Sequence, residues 1–538
     1  MLKLLALPLF TLPLLNDWYV DGSAASCAAG TGTLALPFCT IQEAIAAASS
    51  GDTVFIADGV YTETMDLDKD LRIVGSGAGT EINGGFSRRG IFVRSGATAM
   101  VDGLLVTNCS TGFNGGGIQC LGDLTLRNST ITGNSSGFSY GGGINVMGSS
   151  ARLAVFDSTI SRNSNYYGGA GIHGRDALGV TVIRTTIFYN GTGDDGGGIL
   201  VNNTPLLVDS SALISNYANN MGAIAAEGPI TVINTTISQN ASSDTAVLGF
   251  FDVAGSAASV LRNCTVTENF ATSSNRGSGI FVATGVSVEI ESSIVSMNSG
   301  FMASPDDISG ALVSMGGNVF GTHDGTLVAG PGDQFGVDPL LESLGFNGGP
   351  TETHALSLQS PAIDAAAFGA AITVDQRGVL RPPGLADVGA YELGGFGQTV
   401  HCNAVPNSTG VPGRIFTQGS AEVSAAATTL VASALPPNVF GFYVVGTAVG
   451  FTANPGGSQG NLCVSGTIGR LSRNSLGEIL PSGPGGQASL TVDLTQLPTP
   501  SGTESVMPGD TRIFQFWYRD ANPLQTSNCT EAVEIHFL

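Results

Sequence analysis

The sequence predicts an all-β chain: a parallel β-helix followed by a C-terminal β-sandwich. Three observations predict it. A short pattern recurs at near-even spacing through the middle of the chain. The segments between recurrences are brief and alternate apolar with polar residues, as strands of a few residues do. Glycine makes up 77 of 538 residues, about twice its usual share, and no window carries a helical period.

Each unit of the repeat ends in an asparagine three places after an aliphatic residue. The series is Ile131-Thr-Gly-Asn134, Ile160-Ser-Arg-Asn163, Ile187-Phe-Tyr-Asn190, Leu213-Ile-Ser-Asn216, Ile237-Ser-Gln-Asn240, Val266-Thr-Glu-Asn269 and Val295-Ser-Met-Asn298. Successive asparagines lie 29, 27, 26, 24, 29 and 29 residues apart, and Asn108 precedes Asn134 by 26. Asn108 therefore joins the series. A second landmark keeps step: Gly116-Gly117-Ile118, Gly142-Gly143-Ile144, Ala170-Gly171-Ile172, Gly197-Gly198-Ile199, Gly222-Ala223-Ile224 and Ser278-Gly279-Ile280. Coils of this length with several short strands stack at about 4.8 Å, so seven intervals give a rod section of roughly 35 Å. The aliphatic residues should form an internal stack. The asparagines should bond backbone at a turn and each other in a ladder. The glycines should allow positive φ and close approach of coils.

Charge excludes one class of partner. Lys plus Arg total 20 against 42 Asp plus Glu, a formal net charge of −22, and the only lysines are Lys3 and Lys69. Such a chain repels a phosphate backbone, so nucleic acid is not an expected partner. Residues 1–16 read as a signal peptide: Lys3 precedes an apolar run from Leu4 to Leu15 that is too short to span a bilayer and carries Pro8 and Pro13. No later stretch reads as a membrane helix. Of the eight cysteines, the close pairs Cys27 with Cys39 and Cys109 with Cys120 fit disulfides in an oxidising compartment. Cys264 reads as a small buried hydrophobe. No C-x-x-C spacing occurs, so no zinc site is expected.

The paired repeat signals, over about residues 100 to 300, resemble the repeats of polymorphic outer-membrane proteins and the right-handed β-helix repeats of secreted bacterial proteins. The resemblance implies a right-handed coil, surface exposure and in some members adhesion, with no single activity. Residues 17–84 form the expected cap and first coils. There Thr40-Ile-Gln-Glu43 is a capping box opening a short helix through Ala48, with Ile41, Ala44, Ile45 and Ala48 on one apolar face. This opening, from Tyr19-Val-Asp21 to Gly59-Val-Tyr-Thr-Glu63, resembles that of pectin-lyase-like β-helix proteins.

Residues 85–300 hold the repeats, and residues 301–395 lose their spacing. Here stand Asp338-Pro-Leu-Leu341, Asn347-Gly-Gly-Pro-Thr351, His354-Ala-Leu356, Ser360-Pro-Ala-Ile-Asp364, Asp375-Gln-Arg-Gly378 and Asp387-Val-Gly-Ala-Tyr-Glu392. Together they resemble the choice-of-anchor Q domain of secreted bacterial proteins. The reading is a structural end segment in which Asp375 pairs with Arg377. Residues 400–538 alternate strand-like runs with Pro- and Gly-rich turns, as a β-sandwich does. That module resembles C-terminal modules of secreted bacterial proteins, and Cys402 with Cys463 is its favoured disulfide. No LPxTG-like signal or terminal apolar helix stands there, so neither sortase nor membrane anchoring is expected.

Catalysis is left open by the sequence. A β-helix lyase needs carboxylates that hold Ca²⁺ and a basic residue nearby, and a hydrolase needs two carboxylates. The candidates are Asp194 and Asp195, with Arg175 and Asp176 one coil earlier; His173 and Arg184 are near in sequence. Neighbouring loops carry no matching acids, which favours a solvated acidic loop. No metal site is assigned, and Ca²⁺ is the one ion that the enzyme reading would admit. Tyr140, Tyr166, Tyr167 and Tyr217 follow the repeat asparagines on neighbouring coils, with Phe138 close by. They form an expected aromatic stripe on which sugar rings could stack. The resulting expectation is a monomeric bacterial protein, secreted or at the cell surface, with a structural, adhesive or polysaccharide-binding role. The alternative is a polysaccharide lyase or glycoside hydrolase of the pectin-lyase-like type.

Overall fold

The computed structural model describes residues 16–538 except 252–257, 273–276, 301–306, 325, 358, 368–371, 380, 382, 383, 385, 394–398, 402, 403, 410, 411, 419, 420, 427, 472–478 and 522–524. The signal-peptide reading thus lies, all but Asn16, outside the described residues. The rod forms as the repeat dictates, a parallel β-helix. Its strands fall into three parallel sheets, one of them ten-stranded from Met65–Leu67 to Ile308–Ser309 and one six-stranded from Ser164–Asn165 to Ser299–Gly300. Ile131, Ile160, Ile187, Leu213, Ile237, Val266 and Val295 stand in direct register. All seven are fully buried. Each coil thus repeats the same burial, and the rod's core is an aliphatic stack.

The asparagine ladder is continuous. The Asn190 side-chain amide donates to Asn216 Oδ1 at 2.9 Å and to the Ile160 carbonyl at 3.0 Å. Asn190 Oδ1 in turn accepts from the Asn163 backbone N–H and side chain. The same bonds run from Asn134 to Asn298, where Asp307 Oδ1 takes the next place at 2.9 Å. Burying these amides is tolerated because each polar atom is paired. Asn108 is not a rung. Ile131 pairs with Val106, so the equivalent of Asn134 is Cys109, whose N–H donates to Asn134 Oδ1 at 2.9 Å. Asn108 occupies the preceding place, where the chain turns with positive φ, as do Arg162, Tyr189, Ser215 and Gln239 in later coils. The glycine pairs serve close approach: a Cβ on Gly143 would lie 2.6 Å from the Gly171 carbonyl oxygen.

The cap holds helix Ile41–Ala47, one residue shorter than expected, with both bonds of the Thr40/Glu43 box. Lys69 Nζ donates to the Ile45 and Ala48 carbonyls at the helix end. Cys27 and Cys39 form a disulfide. The expected Cys109–Cys120 bridge is absent: both are free and buried. Cys109 stands on the ladder and Cys120 on the ten-stranded sheet between Val93 and Val146. The two positions belong to different sides of the coil. Burial pushes both thiols up to about 12. Cys264 is fully buried. Cys463 is disulfide-bonded; its expected partner, Cys402, lies outside the described residues.

After the rod, the chain turns back along its flank. Gln376 bonds Thr236, His354 bonds Ser238, and the Ala390 N–H donates to Thr265. Asp375 and Arg377 pair at 2.8 Å, both buried, and Arg377 stacks on Tyr391. This stretch is a strap on the rod more than an end cap. Beyond it the sheets are antiparallel. Strands around Phe440–Gly446 and Thr511–Ala521 face a three-stranded sheet of Arg414–Gln418, Thr429–Ser433 and Ala488–Thr491. Leu430, Tyr443, Phe514, Phe516 and Val533 share one apolar core between them, an arrangement consistent with a β-sandwich. Among the described residues no helix is long and apolar enough to cross a membrane.

Candidate glycan-binding site

The ten-stranded sheet has an inner and an outer face, because successive side chains alternate. Ile118, Ile144, Ile172, Ile199 and Ile224 point into the core. Their successors Gln119, Asn145, His173, Leu200 and Ala225 line up outside. The loop before each glycine pair turns back over this outer row, through Gly141, Gly169 and Gly196 at φ of 66°, 61° and 67°. A second layer therefore covers the sheet.

In that layer the tyrosines meet. Tyr140 stacks on His173 of the next coil with ring centroids 4.5 Å apart. Tyr167 lies 5.8 Å from Tyr140, Tyr166 packs edge-on to Tyr167 at 5.4 Å, and Phe138 lies 5.4 Å from Tyr166. Phe138, Tyr166 and Tyr167 are 75%, 51% and 43% exposed. Tyr217 is exposed but is not in ring contact with this group among the described residues. It sits in the six-stranded sheet beside Gly191 and Ala241, its hydroxyl 2.7 Å from Ser243 Oγ. The contiguous patch is thus Phe138, Tyr166, Tyr167 and Tyr140.

Asp194 and Asp195 lie on the next coil beside it. The Gly169 N–H donates to the Asp195 carbonyl at 3.0 Å, and Gly193 runs against the Tyr166 ring. Burial holds both carboxyls above the usual carboxylate range, and for Asp195 the Asp194 charge adds to it. Arg175 and Asp176 do not join them. They form their own exposed pair at 3.5 Å at the far end of the His173 strand. Arg184 pairs with Asp157 at 2.6 Å. The four catalytic candidates are therefore two separate pairs. Among the described residues no group of three or more His, Cys, Asp or Glu could hold a metal ion.

Beneath the patch runs a polar ladder that sequence reading did not find. Asn145 Nδ2 donates to Gln119 Oε1 at 3.2 Å. His173 Nδ1 lies 2.6 Å from Asn145 Oδ1 and its Nε2 3.0 Å from Asn202 Oδ1. Asn202 Nδ2 donates to Glu227 Oε2 at 2.7 Å. Burial lowers the His173 pKa to about 4; the neutral ring donates from one nitrogen only, so one of the two facing amides turns its Nδ2 toward the ring. The available signal was a polar residue directly after the landmark isoleucine in three successive coils. This ladder fixes His173, and His173 seats Tyr140.

Two cavities, of about 350 and 300 Å³, lie in the cap and are lined by groups such as Tyr61 with Glu63, and Tyr19 with Phe55. Neither is lined by a predicted site residue. The patch itself can accept the apolar face of a sugar ring, while the two carboxylates accept hydroxyl hydrogens.

No protein-family model and no curated protein matches the chain. Two solved structures are similar to part of it. One is a pectate lyase, Pel9A, 16% identical, covering 70% of this chain and 96% of its own, with a TM-score of 0.41. The other is XylC, solved in complex with xylose, 10% identical, covering 71% of this chain and 99% of its own, with a TM-score of 0.40. Both likenesses concern the course of the backbone alone.

Proposed function

We propose that this chain is an exported cell-surface protein that binds a neutral polysaccharide across Phe138, Tyr166, Tyr167 and Tyr140. The observation that carries the reading is the contiguity of four rings on adjacent coils, three of them open to solvent. A contiguous exposed apolar patch marks an interaction site where scattered exposed rings do not. The acidic border formed by Asp194 and Asp195, in a chain of net charge −22, favours an uncharged glycan over a polyuronate. The Cys27–Cys39 disulfide supports an oxidising compartment. The test is retention of the full chain on hydroxyethyl cellulose, galactomannan and xylan. Retention on at least one, lost in Tyr166→Ala/Tyr167→Ala with the fold intact, is the expected result. Retention on none of them contradicts it.

One observation favours a second reading. Asp195 is half-buried beside the patch with its carboxyl pushed toward the protonated form by burial and by Asp194, as a general acid in glycan cleavage requires. Release of reducing or unsaturated ends, with or without Ca²⁺, that vanishes in Asp194→Asn/Asp195→Asn would establish an enzyme.

A further inference from the structure

The terminal module carries a second set of open rings. Strand Phe440–Gly446 pairs antiparallel with Thr511–Ala521 and sets Phe442 directly opposite Trp517. Gly441, Tyr443 and Val445 are buried on the core side. Phe440, Phe442 and Val444 therefore face out, together with Ile513, Gln515, Trp517 and Arg519. Strand Leu462–Ser465 covers one half of this face: Cys463 and Val464 pack with Ile513 and Val444, and the Cys463 N–H donates to Gln515 Oε1 at 2.9 Å. The other half stays open, with Phe440 48% exposed and Phe442 and Trp517 half-buried.

Four side chains form a row on the open half. Phe442 and Trp517 stack with centroids 4.9 Å apart and planes 29° apart. Arg470, from the adjacent strand Gly469–Leu471, lies 3.8 Å over the Phe442 ring. Arg519 lies 5.5 Å over the Trp517 ring. Both arginines are exposed. Arg94, Arg184, Arg262, Arg377, Arg381 and Arg512 each meet a carboxylate, whereas Arg127 and Arg162 on the rod stack on single coils' rings and meet none among the described residues. Among the described residues Arg470 and Arg519 meet none, although the chain holds 42 acids.

A guanidinium stacked on a ring keeps its in-plane N–H groups free, in the fork that fits a carboxylate. The ring faces are taken up by one another and by the guanidinium groups, so the row presents an apolar ridge of ring edges between the two forks. We propose that this face is a second binding site, which takes a polyuronate: carboxylates on Arg470 and Arg519, with sugar rings across the exposed edges of Phe442 and Trp517. It stands independently of the tyrosine patch. The net charge of −22 repels such a polymer over the molecule at large, so its capture would have to be local.

The test uses the full chain and alginate, with dextran as the uncharged probe, in affinity electrophoresis and by Trp517 fluorescence. The wild type should be retained by alginate at low salt and released as salt rises. Arg470→Gln/Arg519→Gln should bind alginate at least about tenfold more weakly, with dextran behaviour and melting unchanged. Arg470→Lys/Arg519→Lys should fall between, since it keeps the charge and loses the fork. Tyr166→Ala/Tyr167→Ala should leave alginate retention intact, which separates this site from the rod patch. Alginate retention unchanged in the Gln variant, or absent in the wild type, overturns the proposal. So does self-association of the wild type that the Gln variant abolishes, because the face would then belong to a second copy.

Discussion

The rod patch and the terminal face both expose packed rings, yet their borders carry opposite charge. Tyr166 and Tyr167 have Asp194 and Asp195 beside them; Phe442 and Trp517 have Arg470 and Arg519 over them. The rings are built differently too. The rod places its rings by repetition, one loop per coil above the next. The terminal sheet places its rings by antiparallel pairing of distant strands. On the proposed readings, the rings of either surface hold sugar. Border charge then decides which polymer is admitted, since like charges at contact range cost more than the stacking supplies.

The largest expected effect removes the foundation of one region only. Asn190→Ala deletes bonds to Ile160, Asn216 and Asn163 inside the ladder. It should cost about 3 to 5 kcal/mol of rod stability, read by urea denaturation, while alginate retention at the terminal face persists below the new midpoint. Acid should next weaken the rod through His173. Its folded pKa of about 4 lies below the unfolded value near 6.5. The stability it contributes is therefore whole above about pH 6.5 and is lost as pH falls through 4, up to about 3 kcal/mol. His173→Gln should flatten that part of the stability–pH curve.

Smaller effects concern binding. Tyr166→Ala/Tyr167→Ala should weaken neutral-glycan retention about tenfold without shifting the melting point by more than a few degrees. Asp194→Asn/Asp195→Asn should leave neutral-glycan retention in place and raise alginate retention by the rod about two- to fivefold. That measurement is best made in the Arg470→Gln/Arg519→Gln background, where the terminal face is silent. If it does not rise, border charge is not what separates the two surfaces.

The rod was legible because each coil writes the same residue at the same register. Ile131 through Val295 could be aligned by eye, and the structure pairs them as aligned. Counting failed by one residue at Asn108, because the turn residue before each rung also tolerates asparagine, and Cys109 fills the rung. A two-residue offset separates Tyr217 from the patch. It stands one place after Asn216, on the short strand, whereas Tyr166 stands three places after Asn163, in the loop. Proximity in sequence likewise suggested the Cys109–Cys120 bridge, which the opposite sides of a coil forbid. The terminal face was hidden for a different reason. Arg470, Phe442, Trp517 and Arg519 lie on three strands with no repeat, and only sheet pairing brings them together.

The central claim is that one chain holds two glycan surfaces of opposite preference. The most direct measurement is affinity electrophoresis of the wild type, Tyr166→Ala/Tyr167→Ala and Arg470→Gln/Arg519→Gln through gels containing either hydroxyethyl cellulose or alginate. The account predicts a crossed result: the tyrosine variant runs free in the neutral gel and is retarded in alginate, and the arginine variant does the reverse. Both variants losing both interactions, or neither losing either, would contradict it.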